Sequence, residues 1–102
     1  MHLVEIFLPL SDNDGNTFVR ADYEAIEQEL TARFGGITAY PRAPASGLWK
    51  DSDDETQIDH LVVYEVWVEK LDKYWWNEYR QKLETAFRQE KIIVRVLESE
   101  LL

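Results

Sequence analysis

Hydrophobic residues occur along this chain in two kinds of pattern. Four short segments are rich in β-branched and aromatic residues, and in the longest of them apolar and polar positions partly alternate, which is typical of β-strands. Two longer segments carry apolar residues at steps of three and four, which puts them on one face of a helix. The predicted strands are residues 3–10, 37–40, 61–69 and 92–97, and the predicted helices are about 20–34 and about 71–89.

The order of these elements is βαββαβ, and this order predicts the fold class. In the split-βαβ arrangement the sheet is antiparallel with strand order 4-1-3-2, and both helices lie on one face. We therefore expect one α+β domain over residues 1–102, a ferredoxin-like sandwich with a four-stranded sheet. Residues 41–60 are the least regular part, where Pro41 and Pro44 limit the second strand to an edge and a long, bulged hairpin is expected.

The second face of the sheet, which we call the open face, is predicted to carry no helix. Because side chains alternate along a strand, each strand divides into a helix-facing set and an open-facing set. The helix-facing sets are Val4, Ile6 and Leu8, then Val62, Tyr64, Val66 and Val68, then Ile92, Val94 and Val96. The apolar members of the open-facing sets are Leu3, Phe7, Leu61, Val63, Trp67, Ile93 and Leu97. Since an apolar face of this size is not left in water, we expect a homodimer that pairs through it.

Three charged residues also belong to the open face, and they allow two interpretations. Strand order 4-1-3 places Arg95, Glu5 and Glu65 on three adjacent strands. They form either a salt-bridged row that sets the dimer register or the lining of a pocket for a small organic molecule. The row has a net charge of −1, so a cationic or hydrogen-bonding ligand fits better than an anion.

Two tryptophans extend this candidate site. Trp67 on the open face and Trp49 in the hairpin are either walls of a pocket or anchors of the dimer interface. The complete set of candidate ligand-binding or interface residues is Glu5, Phe7, Trp49, Val63, Glu65, Trp67 and Arg95. The sequence does not identify catalytic residues.

The other polar motifs predict ordinary structural roles. His60 adjoins Asp59, but strand neighbours point in opposite directions, so a catalytic dyad is not expected. The two histidines lack metal-site spacing, and the loop from Asp12 to Asn16 lacks the glutamate of a calcium loop, so we predict a turn and no metal. No motif for a cofactor is present, and we expect none.

Charge and composition exclude several classes of partner. The net charge is −9, and no basic cluster breaks it, which argues against binding to nucleic acid or to anionic membranes. The chain has no cysteine, and it shows neither a signal-like N-terminus nor an apolar run of membrane-spanning length. An acidic, cytoplasmic protein is therefore expected.

One stretch of the chain resembles a known kind of protein. It runs from Phe34 to Trp49 (Phe-Gly-Gly-Ile-Thr, then Gly-Leu-Trp) and continues with Asp59 and the strand residues Tyr64-Glu65-Val66. This string is similar to small uncharacterised bacterial βαββαβ proteins of the ferredoxin-like, dimeric α/β-barrel kind. The resemblance implies a cavity between two sheets but carries over no catalytic residue. Relatives of that kind include cofactor-free oxygenases and haem-degrading enzymes, but no histidine is well placed for haem here.

Three classes of function follow from these observations. The first is a homodimeric protein that binds a small organic molecule between the sheets. The second is a cofactor-independent enzyme in which Glu5 or Glu65 acts as general base and Arg95 stabilises developing negative charge. The third is a protein-interaction module whose open face meets a different protein.

Overall fold

The computed structural model describes residues 1–40, 46–50 and 56–102, with side chains described outside residues 39–60. It shows an α+β fold with two helices and an antiparallel sheet, as predicted. None of the described helices has the length and apolar character needed to cross a membrane. The elements are β1 (His2–Pro9), α1 (Arg20–Phe34), β2 (Thr38–Tyr40), β3 (Ser46–Lys50), β4 (Thr56–Val68), α2 (Lys73–Ala86) and β5 (Ile93–Glu98).

The sheet has the hydrogen-bonded order β2-β4-β1-β5, and β3 pairs separately with the first part of β4. The described residues therefore form five strands, whereas four were predicted. The main body consists of β1, β4 and β5, while β2 adds only three residues at one edge. The strand β4 begins at Thr56 rather than at Leu61, because Thr56 to His60 pair with β3. These five residues are mostly polar, so hydrophobic alternation could not reveal them.

Both helices pack on the same face of the sheet. From Val4 onwards the even-numbered residues of β1 are buried, as are those of the second half of β4, and they share one core with both helices. On α1 the buried stripe is Tyr23, Ile26 and Leu30, and the helix ends at Gly35, whose φ of 86° is the left-handed conformation that favours glycine. The core also includes Phe18 and Phe87, whose rings meet edge to face.

The helix α2 buries a different tryptophan from the expected one. The sequence pattern assigns Trp75 to the core and Trp76 to the flank, but Trp76 is 5% exposed and Trp75 is only partly buried. Successive steps of four overshoot a turn of 3.6 residues, so a stripe that contains Tyr79 and Leu83 drifts away from Trp75. The helix begins after an N-cap at Asp72, whose carboxylate accepts a hydrogen bond from the Trp75 N–H at 3.0 Å.

The last strand, β5, is less covered than expected. Alternation predicts that Val94 and Val96 face the helices, but Val94 is half-buried and Val96 is 38% exposed. The reason is that α2 does not reach over the outer edge of β5. A groove separates the helix from the strand at this edge.

Candidate functional site

The three charged residues of the open face lie side by side in the sheet. Glu5 in β1 is directly opposite Glu65 in β4 on one side and directly opposite Arg95 in β5 on the other. Thr38 in β2 extends this row beyond Glu65. The sequence predicted the strands and the face but not the register, which the structure now provides.

A tight ion pair occupies one end of the row. The Arg95 guanidinium donates through Nε at 2.9 Å to Glu5 Oε1, and its terminal nitrogen lies 2.7 Å from the same oxygen. The Glu5 side chain is only 11% exposed, whereas that of Arg95 is 54% exposed. The arginine also lies over the Phe7 ring, 5.2 Å from its centre. The guanidinium therefore covers the carboxylate and stays accessible from solvent.

The apolar residues around the row are unequally exposed. Phe7 is opposite Val63 on one side and Ile93 on the other, and Val63 is buried. In contrast, Trp67, Ile93 and Leu97 are 39%, 56% and 41% exposed. The apolar surface that another molecule could cover is therefore narrower than expected and lies at β5 and Trp67.

Trp49 lies away from the row along the strand. Its backbone pairs with Gln57, eight positions before Glu65 in β4, a separation of roughly 26 Å along an extended strand. Its side chain lies outside the described residues, as do those of Asp59 and His60. The other six candidates are brought to the same face of β1, β4 and β5.

The loop after β1 is a turn closed by its own aspartate. The Asp12 carboxylate accepts hydrogen bonds from the N–H groups of Asp14 and Asn16 and from the Arg88 guanidinium. Chiefly the Asn16 backbone bond, helped by the Arg88 bond, lowers the pKa of Asp12 to about 2. In the described part of the chain, no cluster of acidic, histidine or cysteine side chains could hold a metal ion.

The groove beside β5 was missed by the sequence analysis. It has a volume of about 230 Å³ and opens on the helix side of the strand. The only sequence signal was a pair of basic residues, Lys73 and Arg80, seven positions apart on α2. Its lining residues are Leu71, Lys73, Trp76, Asn77, Arg80, Val94 and Val96.

A polar cluster on the helix side was also missed. The buried Tyr64 hydroxyl donates to Glu27 Oε2 at 2.7 Å, and Arg20 donates to both oxygens of that carboxylate. Burial, with the bond to Glu27, raises the pKa of Tyr64 far above its usual value. This cluster fastens α1 to β4 and lies on the opposite face from the charged row.

Comparison with known structures identifies a similar architecture. The chain is similar to a phage SAM lyase in complex with S-methyl-5'-thioadenosine, with 20% identity and a TM-score of 0.58 over 95% of this chain and 80% of that one. The apo state of phage SAM lyase gives the same identity and TM-score over 94% and 78%. The likeness is one of fold. No protein-family model matches the chain, and no curated protein sequence matches it significantly.

Proposed function

We propose that this protein binds S-adenosylmethionine (SAM) on the open face and cleaves it to S-methyl-5'-thioadenosine. The observation that carries the proposal is the charged row of net charge −1 within an apolar surface, in a fold similar to that of a phage SAM lyase. Fold likeness alone does not assign an activity, so the proposal depends on whether the row suits the ligand.

The chemistry of SAM matches the groups on this face. Its sulfonium is a cation attached to apolar carbon, which suits carboxylates next to apolar side chains. Its amino-acid carboxylate is a partner for a guanidinium that stays accessible, as that of Arg95 does. Its adenine is a flat ring that can stack on an exposed indole such as Trp67.

The reaction breaks the bond between sulfur and the four-carbon amino-acid fragment. The electron pair of that bond goes to sulfur, which becomes the neutral thioether. As that bond breaks, the carbon that leaves sulfur either bonds to an oxygen of the fragment's own carboxylate and closes a lactone, or forms a double bond while a neighbouring proton passes to a base. Arg95 already occupies Glu5 Oε1 with two contacts, and ring closure needs no protein base, so ring closure is the route that we favour. Ring closure also neutralises two charges, which an apolar surface favours over water.

The proposal also includes the architecture, the oligomeric state and the location of the protein. The architecture is ferredoxin-like, which the element order and the pairing of β4, β1 and β5 support. A second copy covers the open face, supported by the exposure of Trp67, Ile93 and Leu97. The location is cytoplasmic, as expected from the sequence.

Product analysis tests the proposal directly. Purified protein is incubated with SAM, thioadenosine is measured by chromatography, and the second product is identified by NMR. We expect homoserine lactone from ring closure, whereas vinylglycine would indicate elimination. Glu65→Gln should reduce turnover, and Glu78→Gln on the exposed side of α2 is the matched control.

Calorimetry separates the remaining classes of function. Binding of SAM without turnover would favour a binding protein over an enzyme. Absence of both binding and turnover would refute the proposal. A stable monomer at high concentration would refute the dimer and favour an interaction module for a different protein.

A further inference from the structure

The strand β5 lies at the edge of the sheet, and its composition is unusual for an edge strand. Within the described residues it ends the sheet on this side, and four of its six residues are apolar. Of these, Ile93, Val96 and Leu97 are more than a third exposed, on both faces of the strand. A long apolar edge of this kind is a template for another strand unless charge, proline or a covering element protects it.

The backbone of β5 leaves its outward groups unpaired within the sheet. The Ser99 N–H donates to the Met1 carbonyl at 3.0 Å, so the odd-numbered residues of this strand direct their backbone groups towards β1. The N–H and C=O groups of Val94, Val96 and Glu98 therefore point away from the sheet. These groups are positioned to form hydrogen bonds with the backbone of another strand.

The groove beside this edge has a charge that the strand itself can complement. Its lining includes Lys73 and Arg80 and no acidic side chain. Arg80 is bound to Glu84 at 2.9 Å, but Lys73 forms no ion pair within the described part of the chain. Glu98 and Glu100 come after Val94 and Val96, the two valines that line the groove. All four are even-numbered positions, so they belong to the helix-facing side of the chain.

We propose that a second copy of this chain pairs antiparallel along β5, centred on Leu97. In this register Leu97 lies opposite Leu97 of the second copy, and Ile93 lies opposite the exposed Leu101. On the helix side Val96 lies opposite Glu98, and Val94 lies opposite Glu100. Each copy thus brings its two glutamates beside the groove that contains the other copy's Lys73 and Arg80.

Other registers of the same strand are less favourable. Centring on Arg95 would set two guanidinium groups opposite each other, which is repulsive across a strand pair. Centring on Val96 would put Arg95 opposite Leu97 and would leave Ile93 opposite Ser99. The register centred on Leu97 pairs Leu97 with Leu97 and Ile93 with Leu101, and it places no like charges directly opposite each other. This edge contact is separate from the face-to-face contact proposed above. Ile93 and Leu97 belong to both surfaces, so substitutions at Val96, Lys73 and Glu98 are the ones that distinguish the two contacts.

Disulfide trapping tests the register. The chain has no cysteine, so Leu97→Cys introduces the only thiol. In a non-hydrogen-bonded antiparallel pair the two Cα atoms are about 4.5 Å apart, within the range that a disulfide spans. We expect rapid dimer formation under mild oxidation on a non-reducing gel. Ile93→Cys lies opposite Leu101 and should react slowly, and equal rates for the two variants would overturn the proposal.

A proline substitution distinguishes edge pairing from face-to-face contact. Because the Val96 N–H points outward, Val96→Pro removes a donor of the new ladder and leaves the β1–β5 ladder intact. In the Leu97→Cys background it should slow trapping about tenfold, the effect of losing one hydrogen bond from each copy. Val96→Thr keeps the N–H and is the control, and circular dichroism confirms folding. Equal trapping in the two would show that the contact is not along the edge.

A charge exchange tests the groove. Lys73→Glu and Glu98→Lys should each slow trapping of Leu97→Cys because each places like charges together. The double variant should restore it. Failure of the double variant to recover, with folding intact, would refute the contact between Glu98 and the groove.

Discussion

Replacing Arg95 with glutamine should destabilise the fold more than replacing its partner Glu5. The substitution removes both contacts to Glu5 Oε1, at 2.7 and 2.9 Å, and leaves a carboxylate that is 11% exposed. The carboxylate then lacks its ion-pair partner in a site where water can only partly replace it.

The magnitude follows from the unequal exposure of the two partners. A fully buried pair broken on one side costs about 3–5 kcal/mol, and an exposed pair contributes about 0–1 kcal/mol. Because Arg95 is 54% exposed, we discount the buried value and expect about 2 kcal/mol for Arg95→Gln. Glu5→Gln leaves a guanidinium that water can solvate, and about 1 kcal/mol is expected.

Urea denaturation followed by tryptophan fluorescence measures these differences. The variants are compared at one protein concentration, because association would add to the apparent free energy of unfolding. Lys91→Gln, on an exposed side chain outside any ion pair of the described residues, is the control. Equal costs for Arg95→Gln and Glu5→Gln, or a cost for Arg95→Gln below that of the control, would refute this reasoning. The double variant should cost less than the sum of the two single variants.

Three further predictions concern other polar contacts. Tyr64→Phe should cost about 1–2 kcal/mol in urea denaturation, more than Tyr23→Phe, because Tyr64 donates to the charged Glu27 and Tyr23 to the Pro9 carbonyl; equal costs would contradict this. The neutral Tyr64 phenol has a raised pKa, so its contribution to stability is present below pH 10 and is lost as the pH rises above 10. Tyr64→Phe should therefore flatten the fall of Tm above pH 10, and an unchanged slope would contradict it. The Asp12 carboxylate, with a pKa of about 2, contributes stability above pH 3.8 that is lost as the pH falls towards 2. Asp12→Asn should reduce the drop in Tm between pH 5 and pH 2, and an identical drop would show that this turn is not the cause.

Sequence patterning was most informative where one face of an element is fully buried. Val62, Tyr64 and Val66 alternate without interruption, and all are less than 5% exposed. In contrast, Trp75 and Trp76 are adjacent aromatic residues, and small differences in helical angle decide which one is buried. Val96 has the residue type of a core position, but its exposure depends on how far α2 extends over an edge strand. No local pattern encodes that distance.

In the candidate site, too, some features follow from the sequence of a single strand and others depend on how strands pair. The open-face positions of Glu5, Glu65 and Arg95 follow from alternation within each strand. Their alignment in one row depends on two registers, since a shift of one residue moves every side chain of a strand to the other face. Both registers join strands that are distant in the sequence, β1 with β4 and β1 with β5, so no local turn sequence sets them.

The row also shows that its two interpretations are compatible. A salt bridge between Glu5 and Arg95 leaves the charge of Glu65 as the net charge of the row, because the other two cancel. A cation that approaches the open face is therefore attracted to the β4 side of the row, while the β5 side offers an accessible guanidinium. That polarity, with one end acidic and the other basic, matches SAM, the ligand we propose, which carries both a cation and a carboxylate. Substitution of Glu65 changes the net charge of the row and leaves the Glu5–Arg95 salt bridge in place, so its effect on SAM binding tests the row as a binding site.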